Sequence, residues 1–255
     1  MARARVGTSG WAYAHWRALF YPRGLRQGEW IRHYARFLDT VEVNASFYRL
    51  PREPSIEGWV ARTPDGFLFA VKAWRAITHH RRLLDCESLL AEMFARLRRF
   101  GAKLGPVLFQ LPPRFPAETA RLAAFLEMLP VGHRYAFEFR DPSWHTEEVY
   151  ALLRAHGAAF VPFDLAGLTG PRVVTADFAY VRLHGHERRY RGAYGEERLR
   201  DWARWCGEVL TAGGDVFVYF DNTDEAAHAV TDARTLRRLL GRWTVPVAAE
   251  REARD

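Results

Sequence analysis

The sequence predicts an α/β fold of the (β/α)₈ TIM-like barrel type, and three observations carry that prediction. Short apolar or alternating runs recur eight times, with helical stretches between most of them, which is the pattern of repeated βαβ units. The length of 255 residues suits one such barrel, a fold of roughly 250 residues. The fingerprints of open doubly wound nucleotide-binding sheets are missing. The first strand runs into Gly7-Thr8-Ser9-Gly10-Trp11, which lacks GxGxxG spacing, and no Walker A motif occurs.

Taken in chain order, the predicted strands are Arg5–Ser9, Thr40–Asn44, Leu68–Ala73, Val107–Leu111, Tyr135–Arg140, Ala159–Asp164, Tyr180–His184 and Val216–Asn222. Helical periodicity falls at Glu29–Leu38, Ser55–Arg62, Cys86–Phe100, Ala117–Leu129, Glu147–His156, Glu196–Ala212 and Asp224–Leu240. Gly101, Gly157 and Gly213-Gly214 follow helices as C-caps, the first two behind basic last turns that complement the helix dipole. Pro112-Pro113 and Pro142 stop strands. The connection between the sixth and seventh strands, Leu165–Ala179, contains Gly and Pro without helical period, so an irregular loop is expected there. No linker divides the chain. Residues 1–243 read as a single barrel domain and residues 244–255 as a flexible, charged C-terminal tail.

Hydrophobic residues make up 49% of the chain, enough for a large core, yet no run approaches the roughly 20 apolar residues of a membrane span. Met1–Val6 lacks the apolar segment of a secretory signal, so a cytoplasmic protein is expected, with no membrane partner. Cys86 and Cys206 stand far apart without ligand spacing and read as buried free thiols. The net charge is +7, but Lys72 and Lys103 are the only lysines among 37 basic residues. Such a bias toward arginine looks compositional or thermal, and it weakens charge as an argument for an anionic partner. Nothing in the sequence sets an oligomeric state.

Barrel function sits at the C-terminal strand ends, where alternate residues point inward. Several strands alternate where buried parallel strands should be uniformly apolar. Thr40, Glu42 and Asn44 share a face, as do Ala70, Lys72 and Trp74, Leu108 and Gln110, Ala136, Glu138 and Arg140, and Tyr180, Arg182 and His184. Their apolar neighbours suit the layer under the helices, which turns the polar sets toward the lumen. Unpaired buried charge is costly, so Glu42, Lys72, Glu138 and Arg182 are expected to form a mutually neutralising network. Arg140, Asp164, His184 and Asn222 are expected nearer the rim. Such a network can be purely structural, but its convergence on the catalytic face of a barrel favours a functional pocket.

The loops above that face are basic: Thr78-His79-His80-Arg81-Arg82 after the third strand, and Gly185–Tyr194, which interleaves arginines, tyrosines and glycines, after the seventh. Arg188, Tyr190 and Tyr194 are candidates for ligand contact there. Trp11, Tyr13, Trp16, Phe20 and Tyr21 after the first strand read instead as the core of a lid. Glu138, Asp164 and His184 end adjacent strands and are the residual candidates for a divalent metal. With Lys72, Arg140 and Arg182 crowding that place, no metal or other cofactor is expected. Neither a GxSxG elbow nor a strand-end cysteine supports nucleophilic catalysis by serine or cysteine.

Six blocks taken together resemble the YecE-like family, a domain of unknown function, from Val6 to about Leu240. They are Gly7-Thr8-Ser9-Gly10-Trp11, Glu42-Val43-Asn44-Ala45-Ser46-Phe47-Tyr48, Phe69-Ala70-Val71-Lys72-Ala73, Phe109-Gln110-Leu111-Pro112-Pro113, Phe137-Glu138-Phe139-Arg140-Asp141-Pro142-Ser143-Trp144 and Val181-Arg182-Leu183-His184-Gly185. The resemblance implies a TIM-like barrel and a bacterial cytosolic protein, and it implies no reaction. Fold-level comparison with endonuclease IV-like and xylose-isomerase-like barrels is analogy, and this chain lacks the ligands of a three-metal nuclease. Where the family carries an asparagine pair after the last strand, this chain has Asp221-Asn222-Thr223, and only Asn222 is carried over.

The functional expectation is an enzyme acting on an anionic small molecule, phosphosugar or nucleic-acid derived. Lys72 and Glu138 are the acid/base candidates, tuned by Glu42 and Arg182, with His184 beside them. Ser9, Asn44, Tyr48, Gln110, Arg140, Trp144, Asp164, Arg188, Tyr190, Tyr194 and Asn222 are the candidate ligand contacts. The alternative is a non-catalytic nucleic-acid-binding protein that uses the basic rim.

Overall fold

The computed structural model describes residues 1–252. Its strands and helices run β1 (Ala4–Thr8), α1 (Trp30–Tyr34), β2 (Thr40–Val43), α2 (Glu53–Ala61), β3 (Leu68–Lys72), α3 (Glu87–Leu97), β4 (Leu104–Gln110), α4 (Thr119–Glu127), β5 (Tyr135–Glu138), α5 (Glu147–Ala155), β6 (Ala159–Phe160), β7 (Phe163–Leu165), β8 (Leu168–Thr169), β9 (Phe178–Leu183), α6 (Glu196–Thr211), β10 (Asp215–Phe220), α7 (His228–Leu240) and α8 (Ala248–Glu252).

Two runs of parallel strands, β1-β10-β9-β7 and β2-β3-β4-β5-β6, form the barrel wall, with β8 added antiparallel to β7. They meet at two seams. On one side Ser9 bridges Glu42, and Gly10 N–H donates to the Glu42 carbonyl at 2.8 Å. On the other, one predicted strand is split in two: β6 pairs with β5, β7 pairs with β9, and Val161-Pro162 lies between. Pro162 has no N–H for a ladder; its carbonyl still accepts from Arg182 N–H at 3.1 Å. Gly7 is required at the first seam, because a Cβ there would stand 2.1 Å from the Thr40 carbonyl oxygen.

Register separates the two faces of the wall. Ala70, Leu108, Ala136, Ala159, Val161, Phe178, Tyr180, Phe217 and Tyr219 form a closed inner cluster that plugs the lumen. Their alternating neighbours, among them Val71, Phe109, Phe137, Val181 and Val218, join the much larger layer beneath the helices. A barrel of this size is a packed core, so function is confined to its open end.

The expected irregular connection after the sixth strand is a hairpin and an extended return. β7 and β8 pair antiparallel, and Thr175 Oγ1 accepts from Phe160 N–H at 2.7 Å while donating to the Ala158 carbonyl at 2.6 Å. The last barrel helix starts later than its periodicity predicts, at His228, because Asp224 accepts the His228 N–H from outside the helix.

Part of the segment expected as a flexible tail from residue 244 contacts the barrel. Thr244 bridges Ala4, Ala249 N–H donates to the Arg36 carbonyl at 2.9 Å, and Glu250 pairs with the buried Arg237 at 3.3 Å. These anchors close the end of the barrel opposite the site. Residues 253–255 lie outside the described residues. Cys86 and Cys206 are buried free thiols, and burial pushes both up, to about 11 and about 12.

Candidate functional site

The inward residues above the lumen plug are charged, and one guanidinium organises them. Arg182 on β9 is completely buried. Its Nε and Nη2 reach Glu42 on β2 at 3.0 and 2.8 Å, and its Nη1 reaches Glu138 on β5 at 2.7 Å. Longer contacts run from Nη2 to Asp221 at 3.5 Å and from Nη1 to His184 Nε2 at 3.4 Å. All five N–H donors of a guanidinium are thereby matched.

The acceptors are equally occupied. Glu42 also takes hydrogen bonds from Ser9 Oγ at 2.7 Å and from the Tyr180 hydroxyl at 2.6 Å. Glu138 takes a second ion pair from Arg140 Nε at 2.7 Å. His184 Nδ1 lies 3.0 Å from Asp221 Oδ2. A proton on Nδ1 is donated to Asp221, and Nε2 faces Arg182.

Burial alone would raise the carboxyl of Glu138, but Arg140 and Arg182 overcome it and hold the group well below the usual carboxylate range. Asp221 is likewise lowered: burial opposes, while His184 and Arg182 favour the anion. Arg182 is held charged, burial being outweighed by Glu42 and Glu138. In this floor every oxygen of Glu42 and Glu138 accepts a hydrogen bond from a neighbouring side chain, so both carboxylates position neighbours.

Lys72 is different. Its carbonyl accepts from Ser46 Oγ at 2.6 Å, but its amine forms no hydrogen bond or ion pair among the described residues. Nζ sits 4.3 Å from the centre of the Phe47 ring, a cation–π contact. Only 8% of the residue is exposed. Burial, and next the charge of Arg182, push the amine down to about 8. It lines a cavity of about 530 Å³ with Trp11, Tyr13, Asn44, Phe47, Tyr48, Trp59, Tyr190 and Asp221.

This pocket has a positive edge. His79 packs against Phe47 at 4.9 Å between ring centres, and Arg75 covers Tyr48 at 5.7 Å. Burial, then the fields of Lys72, Arg140, His80 and Arg75, push His79 down to about 4. Tyr190 leans over His184 with perpendicular rings 5.8 Å apart, held in the left-handed region at φ 63°.

The sequence-predicted residues divide accordingly. Ser9, Glu42, Lys72, Glu138, Arg140, Arg182 and His184 converge at the barrel mouth, and Asn44, Tyr48 and Tyr190 line the pocket. Gln110 is buried with its amide donating to the Leu111 carbonyl at 2.6 Å. Arg188 is exposed on its loop.

Four placements are corrections. Trp144 does not cover the pocket: it is fully buried beneath the helices, stacked on Phe139 at 4.7 Å, with its indole N–H on the Phe115 carbonyl. Tyr194 is buried too, its hydroxyl accepting from Gly185 N–H at 3.0 Å, which ties down the loop base. Asp164 pairs in register with the outward Leu183 and binds His186 at 2.9 Å beside a separate cleft against α6. Asn222, one residue past the inward Asp221, turns to the helix layer and donates to Asp232 at 2.7 Å. Asp164 therefore does not join Glu138 and His184, and no cluster of three metal-ligating side chains occurs among the described residues.

Asp221, Tyr13, Phe47 and Trp59 were not predicted. Alternation with Phe217 and Tyr219 marks Asp221 as inward, a signal available in the sequence. The aromatic group after β1 splits: Trp16 and Tyr21 are core, as expected, while Trp11 and Tyr13 face the pocket.

Fold and site together define a TIM-like barrel protein with a charge-balanced pocket at the C-terminal ends of its strands. Residues 5–254 match the family described as Protein of unknown function DUF72, and the chain belongs to that family. UPF0759 protein YunF of Bacillus subtilis is 26% identical over 272 aligned residues, covering 92% of this chain and 94% of that protein. UPF0759 protein YecE of Escherichia coli is 31% identical over 140 residues, 54% of this chain and about half (49%) of that protein. A DUF72 family protein of Thermotoga maritima superposes with a TM-score of 0.82 at 28% identity, over 93% of this chain and 99% of that one. A xylose isomerase-like TIM barrel/4-hydroxyphenylpyruvate dioxygenase fusion protein shares the fold alone, with a TM-score of 0.53 at 15% identity over 93% of this chain and 42% of that one. No helix of the described residues is long and apolar enough to cross a membrane.

Proposed function

We infer that the pocket is an active site in which the Lys72 amine transfers protons to and from a small anionic substrate. The observation that carries this reading is the amine itself, nearly buried, without a carboxylate partner, in a cavity on the catalytic face. A structural lysine would be paired or solvated. A general base works best with a pKa near the working pH, and burial beside Arg182 supplies that. The cations Arg75 and Arg140 at the edge favour a phosphorylated or carboxylated compound. The aromatic walls suit a sugar or nucleoside face.

A second reading, a nucleic-acid-binding protein without catalysis, draws on Arg188 and Arg189, exposed and without ion pairs among the described residues. A thermal-shift screen of phosphosugars, nucleotides, carboxylates, divalent metals and oligonucleotides separates the two. Stabilisation by a small anion that is lost in Lys72→Met supports the active site. Stabilisation by oligonucleotides alone, lost in Arg188→Ala with Arg189→Ala and unaffected by Lys72→Met, overturns it.

A further inference from the structure

We propose that the substrate is a carbonyl compound, captured by Lys72 as an imine, with Asp221 relaying the protons of that step. The inference rests on the active-site reading above and names its substrate class and chemistry. Three features of the pocket point to it.

The first is the state of the nucleophile. An amine can attack a carbonyl only through a free lone pair, and a lysine kept from water and next to another cation offers one near neutrality. Lys72 meets both conditions, with its stem buried at the end of β3, Phe47 beneath Nζ, and Arg182 in the floor. No carboxylate among the described residues forms an ion pair with it.

The second is a proton carrier in the same cavity. Among the described residues Asp221 is the one carboxylate lining the pocket, anchored through Oδ2 to His184 at 3.0 Å. Glu42 and Glu138 do not take this role: both are fully buried in ion pairs with Arg182 and neither lines the cavity. The third is an apolar wall: Trp11, Phe47, Tyr48 and Trp59 line the cavity beside the amine, a setting that disfavours the charged ammonium and keeps the lone pair available.

The step balances without any further reagent. The lone pair of Nζ attacks the carbonyl carbon, a C–N bond forms, and the C=O electron pair moves to oxygen. Asp221 takes a proton from the resulting ammonium and returns it to that oxygen, giving the carbinolamine. The nitrogen lone pair then expels the hydroxyl, which leaves as water with one proton from solvent delivered through Asp221. The product is a protonated imine on Lys72. The anionic end of the compound would lie toward Arg75 and Arg140.

The test is reductive trapping of the full chain with pyruvate or ribose 5-phosphate and sodium cyanoborohydride at pH 7.5, read by intact mass and peptide mapping. The chain has only two lysines, so Lys103 is an internal reference. The expected result is a reduced adduct at Lys72, formed at least about tenfold faster than at Lys103 or at the exposed α-amine of Met1. Asp221→Asn should slow trapping about tenfold while the protein stays folded. Losing that negative charge leaves the amine less protonated and would by itself speed addition, so slowing isolates the relay.

No preferential adduct with either compound overturns the imine. If Lys72 then still titrates near neutrality, the proton-transfer reading stands; if it titrates as an ordinary lysine, both fall. Adduct formation unaffected or accelerated in Asp221→Asn overturns the relay.

Discussion

Arg182 Nη1 lies 2.7 Å from Glu138 Oε2, and neither side chain has any exposed surface. The same guanidinium neutralises Glu42, so it is the single cation shared by two buried carboxylates from opposite sides of the barrel. Removing one partner of a buried pair leaves uncompensated charge, at a cost of about 3–5 kcal/mol. Arg182→Met is expected to lose at least that much in guanidinium unfolding. Arg182→Lys should recover only part, since an ammonium lacks the planar fork. A loss in Arg182→Met below about 1 kcal/mol would show that the network is not needed for the fold.

Glu138 makes acid stability a second test. Its folded pKa is depressed, despite burial, by Arg140 and Arg182. Above the unfolded value of 4.5 its stabilisation is fully present, and it is lost as pH falls below 4.5 toward the folded pKa. Wild type should therefore lose stability steeply below pH 4.5. Glu138→Gln, less stable at pH 7, should show a shallower slope in that window. Parallel curves for the two proteins would contradict the assignment.

Lys72 carries the opposite sign. Its folded pKa, about 8, is below the ordinary 10.5, so burying the charged amine costs stability wherever both states are protonated. That penalty is constant below pH 8 and disappears as pH rises from 8 to 10.5. Lys72→Met should be more stable than wild type at pH 7, on the order of 2 kcal/mol, with the gain shrinking across that range. A loss of stability at pH 7 would assign Lys72 a structural role.

Trp144 and Tyr190 separate core from site. Trp144→Ala empties a sealed space beneath the helices and should cost about 3–5 kcal/mol. Tyr190→Ala, at an exposed strained position, should change stability by less than about 0.5 kcal/mol. Only Tyr190→Ala should alter trapping at Lys72 without unfolding the protein. Equal stability losses in the two variants would argue against this division.

The barrel and its charged floor were legible because strand alternation is a local signal. Glu42, Lys72, Glu138 and Arg182 each sit two residues from an inward neighbour, and Arg182 reaches both Glu42 and Glu138 across the lumen. Legibility failed where a strand bends or a loop decides. Pro162 breaks the sixth strand without shifting its phase: Ala159 and Val161 face inward, so counting by twos turns Asp164 outward, and its expected place at the pocket came only from its position at the strand end. The expected roles of Asn222 and Trp144 followed from family resemblance and from position near a strand end, and neither records which face a side chain takes. The split of the aromatics after β1, and the tie of Tyr194 to Gly185, are products of tertiary packing with no period to read. At the tail, a charged composition suggested fraying, but Glu250 has a buried partner in Arg237, distant in sequence until the chain folds.

The central claim is that the Lys72 amine is poised near neutrality in a pocket without a carboxylate partner. Methylation of the two lysines with ¹³C-formaldehyde, followed by NMR titration and assigned with Lys72→Arg, measures it directly. The account predicts a Lys72 resonance with a midpoint near 8. A Lys72 midpoint at about 10 or above, the range of an ordinary solvated lysine, would contradict it.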